Sequence, residues 1–487
     1  MKSAVLLVAL LSPLVAGDYH LDCAGGDDAA PGTSPATAWR TPSRASRHTF
    51  GPGDRLLLKR GTRCEGALAP QGSGMAGNPA VVSTYGEGAA PRVDAPGAPA
   101  AVALWNQSHW RLENFSAGGS TEYGIHVSGD SGVMHGIELR DLHISDVRGP
   151  LKRKNSGLVV VEAREKAIFE HIVIDGVTAE RTSQWAGILV NGAGHASPLA
   201  ERRSRNVIIR NSVVNDVWGD GIVLYQVENG LIERSAAWHT GMEARQTIGT
   251  PNGIWTWRCA GCVVRECESF WSDSPGVDGG AFDIDWGNDR NTVEDSYGHD
   301  SLAYCIAVFG AGNRVTSRSI IRNMVCAGNG RSPRLARHHG VIHLYTWEGG
   351  KLDGVLIENN LIEWSPPVTA AAIKDEADWV GAQRAVVRNN VIRPAPAAAP
   401  LWPAAALEIR RDNSRDGRGL RVIAESARVQ FAARGLRVVE TEGSPRVRLR
   451  GPAGRIEKEW TGYVAAKDAL WLIRQRMGEP RPAAAQP

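Results

Sequence analysis

Two pairs of residues between positions 252 and 310 have types and spacings that suit chemistry. Trp255 and Trp257 are separated by one residue, and so are Asp283 and Asp285. Because the side chains of an extended strand point alternately to its two faces, each pair shares one face of its segment. Aromatic rings stack on the apolar faces of sugars, and paired carboxyls exchange protons at a glycosidic bond. The pattern therefore predicts a carbohydrate site.

Further candidate residues surround these four. Asp278 precedes the Asp283 segment by a short turn, and His299 with Asp300 precedes the next similar segment. Asp278 and Asp300 are 22 residues apart, which predicts that they stack one repeat apart. The candidate substrate-binding side chains are aromatic or cationic: Trp255, Trp257, Tyr225, Trp271 and Arg258.

The spacing of the acids favours hydrolysis. Residues i and i+2 of a strand are about 6.6 Å apart, near the roughly 6.5 to 9.5 Å between the carboxyls of inverting glycosidases. Crowding raises the pKa of at least one carboxyl, which then supplies the proton donor. Asp283, Asp285, Asp300, His299 and Asp278 are the candidate catalytic residues.

Two alternatives use the same residues differently. In a polysaccharide lyase, Asp278, Asp283 and Asp285 would hold Ca²⁺, and a nearby side chain would abstract a proton. The candidate bases are His239, Arg258, Arg265, His299 and Tyr304. In a non-catalytic protein, the same acids would form a structural or carbohydrate-binding surface.

A repeated phrase positions these residues along the chain. It starts with Gly or Ala and then alternates aliphatic with other residues, and successive copies begin 22 to 37 residues apart. The copies begin at Gly124, Gly157, Gly187, Gly221, Gly253, Ala281, Ala303 and Gly340. Since alternation with period two is typical of strands, each copy is predicted to be a short strand. In this arrangement Ile254, Phe282 and Ile284 point inward.

A second alternating phrase falls between copies of the first and contains Asn211, Asn360 and Asn390. Asn tolerates left-handed backbone angles, which predicts a repeated sharp corner at these residues. Two or three short strands per coil of roughly 20 to 35 residues predict an all-β parallel β-helix, a solenoid of stacked strands. A β-propeller is the alternative, but its antiparallel blades need hairpin turns that the sequence lacks.

The repeats and the N-terminal segment resemble the right-handed parallel β-helix, or pectin-lyase-like, superfamily. Residues 19–28, 32–41 and 51–61 are similar to the opening cap and first coil of that group. The resemblance covers residues 18–395 and implies a secreted, carbohydrate-active protein.

Polygalacturonase-like glycosidases of this superfamily carry catalytic aspartates on neighbouring coils, with a histidine close by. The similar residues here are Asp278, Asp283, Asp285, His299 and Asp300. The adjacent Asp-Asp pair and the Gly-His-Gly triplet of those enzymes are absent from residues 252–310. The resemblance therefore leaves the mechanism and the sugar open.

Other features bear on location and partners. Residues 1–17 have a basic start, a short apolar run and small final residues, which are typical of a secretory signal peptide. No later segment is apolar enough to span a bilayer. The net charge of +3, without a clustered basic face, argues against nucleic-acid binding. We expect a secreted monomer with a polysaccharide partner and no cofactor other than Ca²⁺.

The cysteines and the C-terminal region complete the prediction. Seven cysteines are an odd number, so an oxidising compartment predicts disulfides with at least one unpaired thiol. Cys23 and Cys64 are the expected bridge. The composition shifts after residue 395, which predicts a C-terminal extension over 396–487 that caps the solenoid and ends in a helix over 464–477.

Overall fold

The computed structural model describes the chain in ranges separated by short gaps. These are residues 16–193, 202–241, 248–330, 332, 338–363, 371–381, 384–393, 408–409, 436–441, 444–450 and 456–461. Almost all of the regular structure in these ranges is β-strand, and a short 3-10 helix, Pro35–Thr37, and a short α-helix, Pro42–Ala45, lie near the N-terminus. The α-helix begins after Thr41, whose hydroxyl accepts a hydrogen bond from the backbone N–H of Arg44 at 3.1 Å.

Three long sheets contain most of the strands. The first sheet consists of Asp18–Leu21, Arg55–Lys59, Ala80–Tyr85, Trp110–Glu113, Val133–Arg140, Ile168–Asp175, Ser204–Arg210, Val227–Glu233, Val263–Arg265, Thr292–Glu294, Val315–Arg322, Lys351–Glu358, Ala385–Arg388 and Glu408–Ile409. The second consists of Arg63–Glu65, Arg92–Asp94, Ser116–Gly118, His143–Val147, Thr178–Thr182, Val213–Val217, Ala236–Thr240, Glu268–Ser272, Tyr297–His299, Val325–Ala327, Leu361–Glu363 and Val391–Arg393. The third consists of Ala100–Trp105, Tyr123–Gly129, Gly157–Ala163, Ala186–Asn191, Ile222–Tyr225, Ile254–Trp257, Phe282–Ile284, Ile306–Gly310, Gly340–Thr346 and Ala371–Glu376.

The strand order identifies a parallel β-helix. In each long sheet the strands follow one another in chain order and pair in parallel, so each coil adds one strand to every sheet. The predicted fold is confirmed, and the antiparallel blades of a propeller are not found in these sheets. The first sheet also extends beyond residue 395, because Glu408–Ile409 pairs with Ala385–Arg388.

The core runs along the inside of the solenoid. Ile254, Phe282 and Ile284 are fully buried there, on the inward side of their strands. Each such aliphatic or aromatic side chain contributes roughly 1.5 to 3 kcal/mol through removal of apolar surface from water. The outward positions of the same strands are left to carry other chemistry.

The corners between the first and second sheets differ from the prediction by one residue at two of three positions. Asn211 has a left-handed φ of 51°, as expected, but at the later corners this conformation belongs to Asn359 and Asn389. Asn360 and Asn390 lie one residue further on and are buried, where Asn360 Nδ2 donates to Asn390 Oδ1 at 2.9 Å. The ladder of inward amides satisfies backbone groups at the corner, which explains why asparagine occurs twice in succession.

Four of the seven cysteines form two disulfides. Cys23 is bonded to Cys64, as predicted, and Cys305 to Cys326. The remaining three cysteines, Cys259, Cys262 and Cys267, are buried, and Cys259 and Cys262 are free thiols. The expectation of at least one unpaired thiol is confirmed.

Some predicted segments lie outside the described residues. These are nearly all of the proposed signal peptide over 1–17 and the proposed terminal helix over 464–477. Within residues 436–461, the strands Leu436–Thr441, Ser444–Arg450 and Ile456–Thr461 form a separate antiparallel sheet. The short strands Thr49–Phe50 and Gln71–Gly72 pair in parallel near the N-terminus. No helix in the described ranges is long and apolar enough to cross a membrane.

Candidate active site

The outer face of the third sheet brings the tryptophans and the aspartates together. Trp255 pairs directly with Asp283 across neighbouring strands. Their inward neighbours Ile254 and Phe282 belong to the solenoid core, so the alternation of each strand turns Trp255 and Asp283 outward. Asp285 follows its strand by one residue and is half-buried.

The two tryptophans are covered rather than open to solvent. Trp255 and Trp257 are each 4% exposed and belong to an apolar cluster outside the solenoid core. The cluster consists of Tyr123, Val160, Trp185, Ala186, Leu189, Val223, Tyr225, Trp255 and Trp257. Tyr225, a predicted substrate contact, meets both tryptophan rings edge-on at 5.1 and 5.6 Å. These rings therefore form the wall behind the acids.

Four carboxyls converge at this wall. Asp278, Asp283 and Asp285 were predicted from the sequence, whereas Asp220 was not. Asp220 is fully buried two residues before the third-sheet strand Ile222–Tyr225 begins. The electrostatic influence of Asp220 and Asp278 reaches both Asp283 and Asp285, which shows that the four groups share one site.

Asn252 contacts two of these carboxyls directly and a third through the Tyr304 hydroxyl, and the sequence analysis missed its role. Its Nδ2 donates to Asp283 Oδ2 at 3.1 Å, and its backbone N–H donates to Asp220 Oδ1 at 2.9 Å. Its Oδ1 accepts hydrogen bonds from the Tyr304 hydroxyl at 3.0 Å and from the backbone N–H of Gly280 at 2.9 Å. Asn252 thus fixes the position of Asp283 relative to the neighbouring coils.

A pattern in the sequence could have revealed both missed residues. Asp220 and Asn252 each come directly before a Gly that begins the repeated phrase, at Gly221 and Gly253. A polar residue at this position on successive coils lies at the same end of neighbouring strands.

Hydroxyl groups hold the half-buried Asp278. The single proton of the Tyr304 hydroxyl is shared between Asp278 Oδ1 at 3.1 Å and Asn252 Oδ1 at 3.0 Å, and the Thr250 hydroxyl donates to Asp278 Oδ2. Asp220 is held differently, by the indole N–H of Trp185 and by the Tyr225 hydroxyl at 3.3 Å. Asp283 is 2% exposed, and its Oδ1 lacks a hydrogen-bond partner among the described residues.

Burial dominates the electrostatics of the cluster. It raises the pKa of Asp285 to about 8, with further increases from the charges of Asp278 and Asp220. Burial likewise raises the pKa of Asp283 well above its usual range and that of Asp220 to about 6. The pKa of Asp278 is also raised by burial, against the opposing effect of its two hydroxyl hydrogen bonds. The cluster therefore holds protons near neutral pH.

Two cations lie at the edge of the site. The Lys154 ammonium lies 5.2 Å from the centre of the Trp185 ring, and its charge opposes the pKa increases of Asp220 and Asp285. Arg258 lies over Trp257 at 5.0 Å and is buried. Neither cation forms an ion pair with any of the four carboxyls within the described ranges.

A histidine pair touches the loop that carries Asp278. His339 Nε2 donates to the backbone oxygen of Val277, and its Nδ1 lies 2.7 Å from Nδ1 of His343. Since a carbonyl only accepts, a neutral His339 must accept at Nδ1, and His343 must donate there. His343 Nε2 then faces a Glu376 carboxylate oxygen at 3.5 Å. Burial lowers the pKa of His339 to about 3, with a smaller contribution from His343, which is consistent with a neutral ring.

The structure places the other predicted site residues elsewhere. His299 and Asp300 lie at the end of a second-sheet strand, where His299 contacts Glu268 and Asp300 at 2.8 Å each. Trp271 is also on the second sheet, stacked on His239 with ring centres 4.8 Å apart. Asp300 therefore does not stack on Asp278, because it directly follows its second-sheet strand, whereas Asp278 lies further along its loop, close to the third-sheet strand Phe282–Ile284.

The acids do not fit a Ca²⁺ site. Such a site needs six to eight oxygen ligands, yet both oxygens of Asp278 already accept hydroxyl hydrogen bonds and Asp283 is bound by Asn252. No group of three His, Cys, Asp or Glu side chains in the described ranges is arranged to hold a metal ion.

Comparison with known proteins identifies similar folds. No protein-family model matches the chain, and no curated protein matches it in a sequence search. The native structure of the GH136 lacto-N-biosidase from Eubacterium ramulus is similar with a TM-score of 0.63 and 19% identity, over 78% of this chain and 68% of that one. Its selenomethionine derivative gives a TM-score of 0.61 and 18% identity over the same shares. The alginate lyase from Paenibacillus sp. str. FPU-7 gives a TM-score of 0.38 and 13% identity, over 75% of this chain and 97% of that one. At 18 to 19% identity, the likeness to the lacto-N-biosidase structures is a likeness of fold alone.

Proposed function

We propose that this protein is a glycoside hydrolase that acts on a polysaccharide or oligosaccharide. The observation that carries the proposal is the cluster of four carboxyls, without an ion pair in the described ranges, against a tryptophan wall on the outer face of the solenoid. Carboxyls that keep protons near neutral pH beside carboxyls that lose them are what glycoside hydrolysis requires.

Asp278 and Asp285 are the two carboxyls at the reacting bond in this proposal. Both are half-buried, so a substrate can reach them, whereas Asp220 and Asp283 are buried beneath. This narrows the sequence prediction, in which Asp283 was paired with Asp285. Asp220 and Asp283 act as positioning residues. The charge of Asp220 adds to the pKa of Asp285, and Asp283 holds the Asn252 side chain in place.

The hydrogen bonds assign different roles to the two carboxyls. Asp285 accepts only the backbone N–H of Trp286 among the described contacts, and its pKa of about 8 keeps it protonated, so it donates a proton to the leaving oxygen. Asp278 accepts two hydroxyl hydrogen bonds, which favour its ionised form. Asp278 is therefore the carboxylate that activates water or attacks the sugar.

The lyase alternative has less support. A lyase needs a base at the same site, and burial raises the pKa of Tyr304, one of the candidates, well above its usual value, which keeps its hydroxyl protonated and unable to accept a proton. His299 and His239, two other candidates, belong to the second sheet. A carbohydrate-active role also agrees with the names of the structurally similar proteins, and a secreted location agrees with the two disulfides and the signal-like N-terminus.

A substrate panel tests the proposal. The purified protein is incubated with polysaccharides, oligosaccharides and aryl glycosides, including an aryl lacto-N-bioside, with and without chelator. New reducing ends without unsaturated uronate absorbance, insensitive to the chelator, support hydrolysis. Both signals together, lost on chelation, establish the lyase instead. Binding without either signal refutes catalysis on the panel.

An aryl leaving group also tests the two roles. A substrate whose leaving group departs without protonation should bypass the loss of Asp285 in Asp285→Asn but not the loss of Asp278 in Asp278→Asn. Equal losses on activated and natural substrates would contradict the assignment of the proton donor.

A further inference from the structure

One row of outward positions on the third sheet runs through the acid cluster. Tyr225 pairs with Trp257, and Ile284 pairs with Val308, which sets Asp285 opposite Phe309 on the next coil. Phe309 in turn pairs with Tyr345. Neighbouring coils are about 4.8 Å apart, so Tyr345 lies roughly 10 Å beyond Asp285 along the solenoid axis.

The row is covered on the N-terminal side of the acids. Glu162, Asn191 and Tyr225 are buried on successive coils. The segment before the third-sheet strand Gly157–Ala163 supplies part of the cover, because Asn155 Nδ2 donates to Glu162 Oε1 at 3.0 Å. Leu151 and Ile248 pack on the same apolar cluster.

The row opens on the C-terminal side. Phe309 is buried, but Tyr345 is 38% exposed and Trp347 is half-exposed. The rings of Tyr345 and Trp347 are roughly parallel, with centres 5.8 Å apart and an interplanar angle of 20°. Phe309 meets both rings edge-on, at 6.4 and 5.7 Å, and supports them from below. This is a preformed aromatic platform beside the acids.

We propose that Tyr345 and Trp347 form a sugar-stacking subsite for a carbohydrate chain that extends from the acids toward the C-terminal coils. The subsite rests on the proposed function, because the acids define where the chain is cut. One sugar unit is comparable in length to one coil spacing, so a chain laid along the axis reaches the platform with its second or third unit. Aromatic rings bind the apolar face of such a unit.

Polar groups at the platform suit the hydroxyls of the same unit. Glu376 pairs with Tyr345 on the next coil, and its side chain is 44% exposed. Lys374 contacts Glu376 at 2.9 Å and adds a donor next to that acceptor. Stacking flanked by a donor and an acceptor is the usual composition of a ligand site with few polar groups.

Trp105 provides a matched control. Among the Phe, Trp and Tyr side chains of the described residues, only Trp105 and Tyr345 rank as exposed, at 46% and 38%. Trp105 lies on the same row, six coils before Asp285 and roughly 29 Å away. The covered stretch separates it from the acids.

The experiment measures hydrolysis of an oligosaccharide series from two to six units, and of an aryl glycoside, by the wild type, Tyr345→Ala, Trp347→Ala, Tyr345→Phe and Trp105→Ala. We expect KM for the longer oligosaccharides to rise roughly 3- to 10-fold in the two platform alanine variants, with kcat and aryl glycoside cleavage unchanged. Tyr345→Phe should retain wild-type KM because its ring remains. Trp105→Ala should also match the wild type.

The outcomes separate the subsite from the proposed function. If the wild type cleaves the series but the platform variants match it at every length, or Trp105→Ala has the same effect as Tyr345→Ala, the subsite is refuted and hydrolysis stands. If no substrate is cleaved, binding of the series is measured instead. Affinity that grows with length and falls in Tyr345→Ala but not in Trp105→Ala then supports the subsite while the hydrolase proposal fails, and affinity equal in all variants refutes the subsite as well.

Discussion

The acid cluster on the outer face of the third sheet and the acids on the outer face of the first sheet lie on the same scaffold but in opposite electrostatic surroundings. Several first-sheet acids pair with arginines of the same or a neighbouring coil. Glu138 contacts Arg111 and Arg140 at 2.8 Å each, and Glu233 contacts Arg265 at 2.7 Å. Burial alone would raise the pKa of Glu138, but the two guanidinium groups outweigh it and lower the pKa.

On the third sheet, Glu162 is likewise paired with Arg164 at 2.8 Å, but within the described ranges none of the four clustered aspartates forms an ion pair. Burial of Asp283 and Asp285 is reinforced by the other carboxylates, so their pKa values rise. The difference shows that carboxyls on stacked coils stay ionised where cationic side chains neighbour them, and stay protonated to higher pH where other carboxyls do. A few coils without paired arginines are therefore enough to give a solenoid surface carboxyls with raised pKa values.

The largest expected effect is on catalysis. Asp278→Asn and Asp285→Asn should each lower kcat on a natural substrate roughly 10²- to 10⁴-fold, because each removes a group that transfers a proton or attacks at the reacting bond. Glu233→Gln on the first sheet is the matched control and should keep wild-type kcat. Steady-state kinetics together with circular dichroism, to verify folding, measure the difference. Full activity in either aspartate variant would contradict the site.

The fold was predictable because the same strand pattern recurs many times along the sequence. Each coil repeats an alternating phrase, so strand periodicity and inward residues such as Ile254 and Ile284 could be assigned without knowing which strands pair. The corners were predicted less exactly: adjacent asparagines share the corner, and only the coordinates show that Asn359 is left-handed while Asn360 points inward.

The site was only partly predictable because it depends on contacts between coils. Alternation indicated Asp283 and Asp285, but the equal spacing of Asp278 and Asp300 suggested a stack that the structure does not have. The 22-residue spacing is a coincidence. Asp300 directly follows the second-sheet strand Tyr297–His299, whereas Asp278 lies in the loop before a third-sheet strand. The contact between His339 and Val277 joins residues 62 positions apart, and no local pattern reports such a distance.

The next effect concerns Asn252, which links the acid cluster across coils. Asn252→Ala should lower kcat roughly 10- to 100-fold, because Asp283 loses its described donor and Tyr304 loses one acceptor while the two reacting carboxyls remain. The matched control is Asn360→Ala, which removes a buried asparagine of similar hydrogen bonding from the corner beside the first sheet. It should lower the melting temperature without changing kcat. Equal kcat losses in both variants would reduce Asn252 to a structural role.

A smaller effect is expected at the histidine pair. His339→Ala removes the donor to Val277, so the loop that carries Asp278 loses one anchor and kcat should fall about 10-fold with little change in KM. His339→Gln, whose amide can still donate, should recover part of the loss. His143→Ala, which breaks a 2.9 Å contact with Glu180 on the second sheet, is the control and should leave kcat unchanged. A change in KM alone would argue against a role in positioning Asp278.

The smallest effect is on the free energy of unfolding. Its change with pH should have opposite signs for Asp285 in the acid cluster and for Glu138 on the first sheet. Since the folded-state pKa of Asp285 is raised to about 8 from its ordinary value of 3.8, the folded protein binds this proton more tightly than the unfolded chain. Its contribution therefore favours folding below about pH 4 and is lost as the pH rises toward 8. Asp285→Asn should match the wild type near pH 4 and become more stable than it near pH 8, by a few kcal/mol at most.

Glu138 should behave in the opposite way because its pKa is lowered in the folded state. Its ion pairs stabilise the protein above the unfolded-state pKa, and this contribution is lost as the pH falls through the folded-state value. Glu138→Gln should therefore be less stable than the wild type at neutral pH and approach it in acid. Urea unfolding of both variants from pH 4 to 8 measures the two slopes. If the stability difference from the wild type changed with pH in the same direction for both variants, arginine pairing would not explain the different pKa shifts of the two faces.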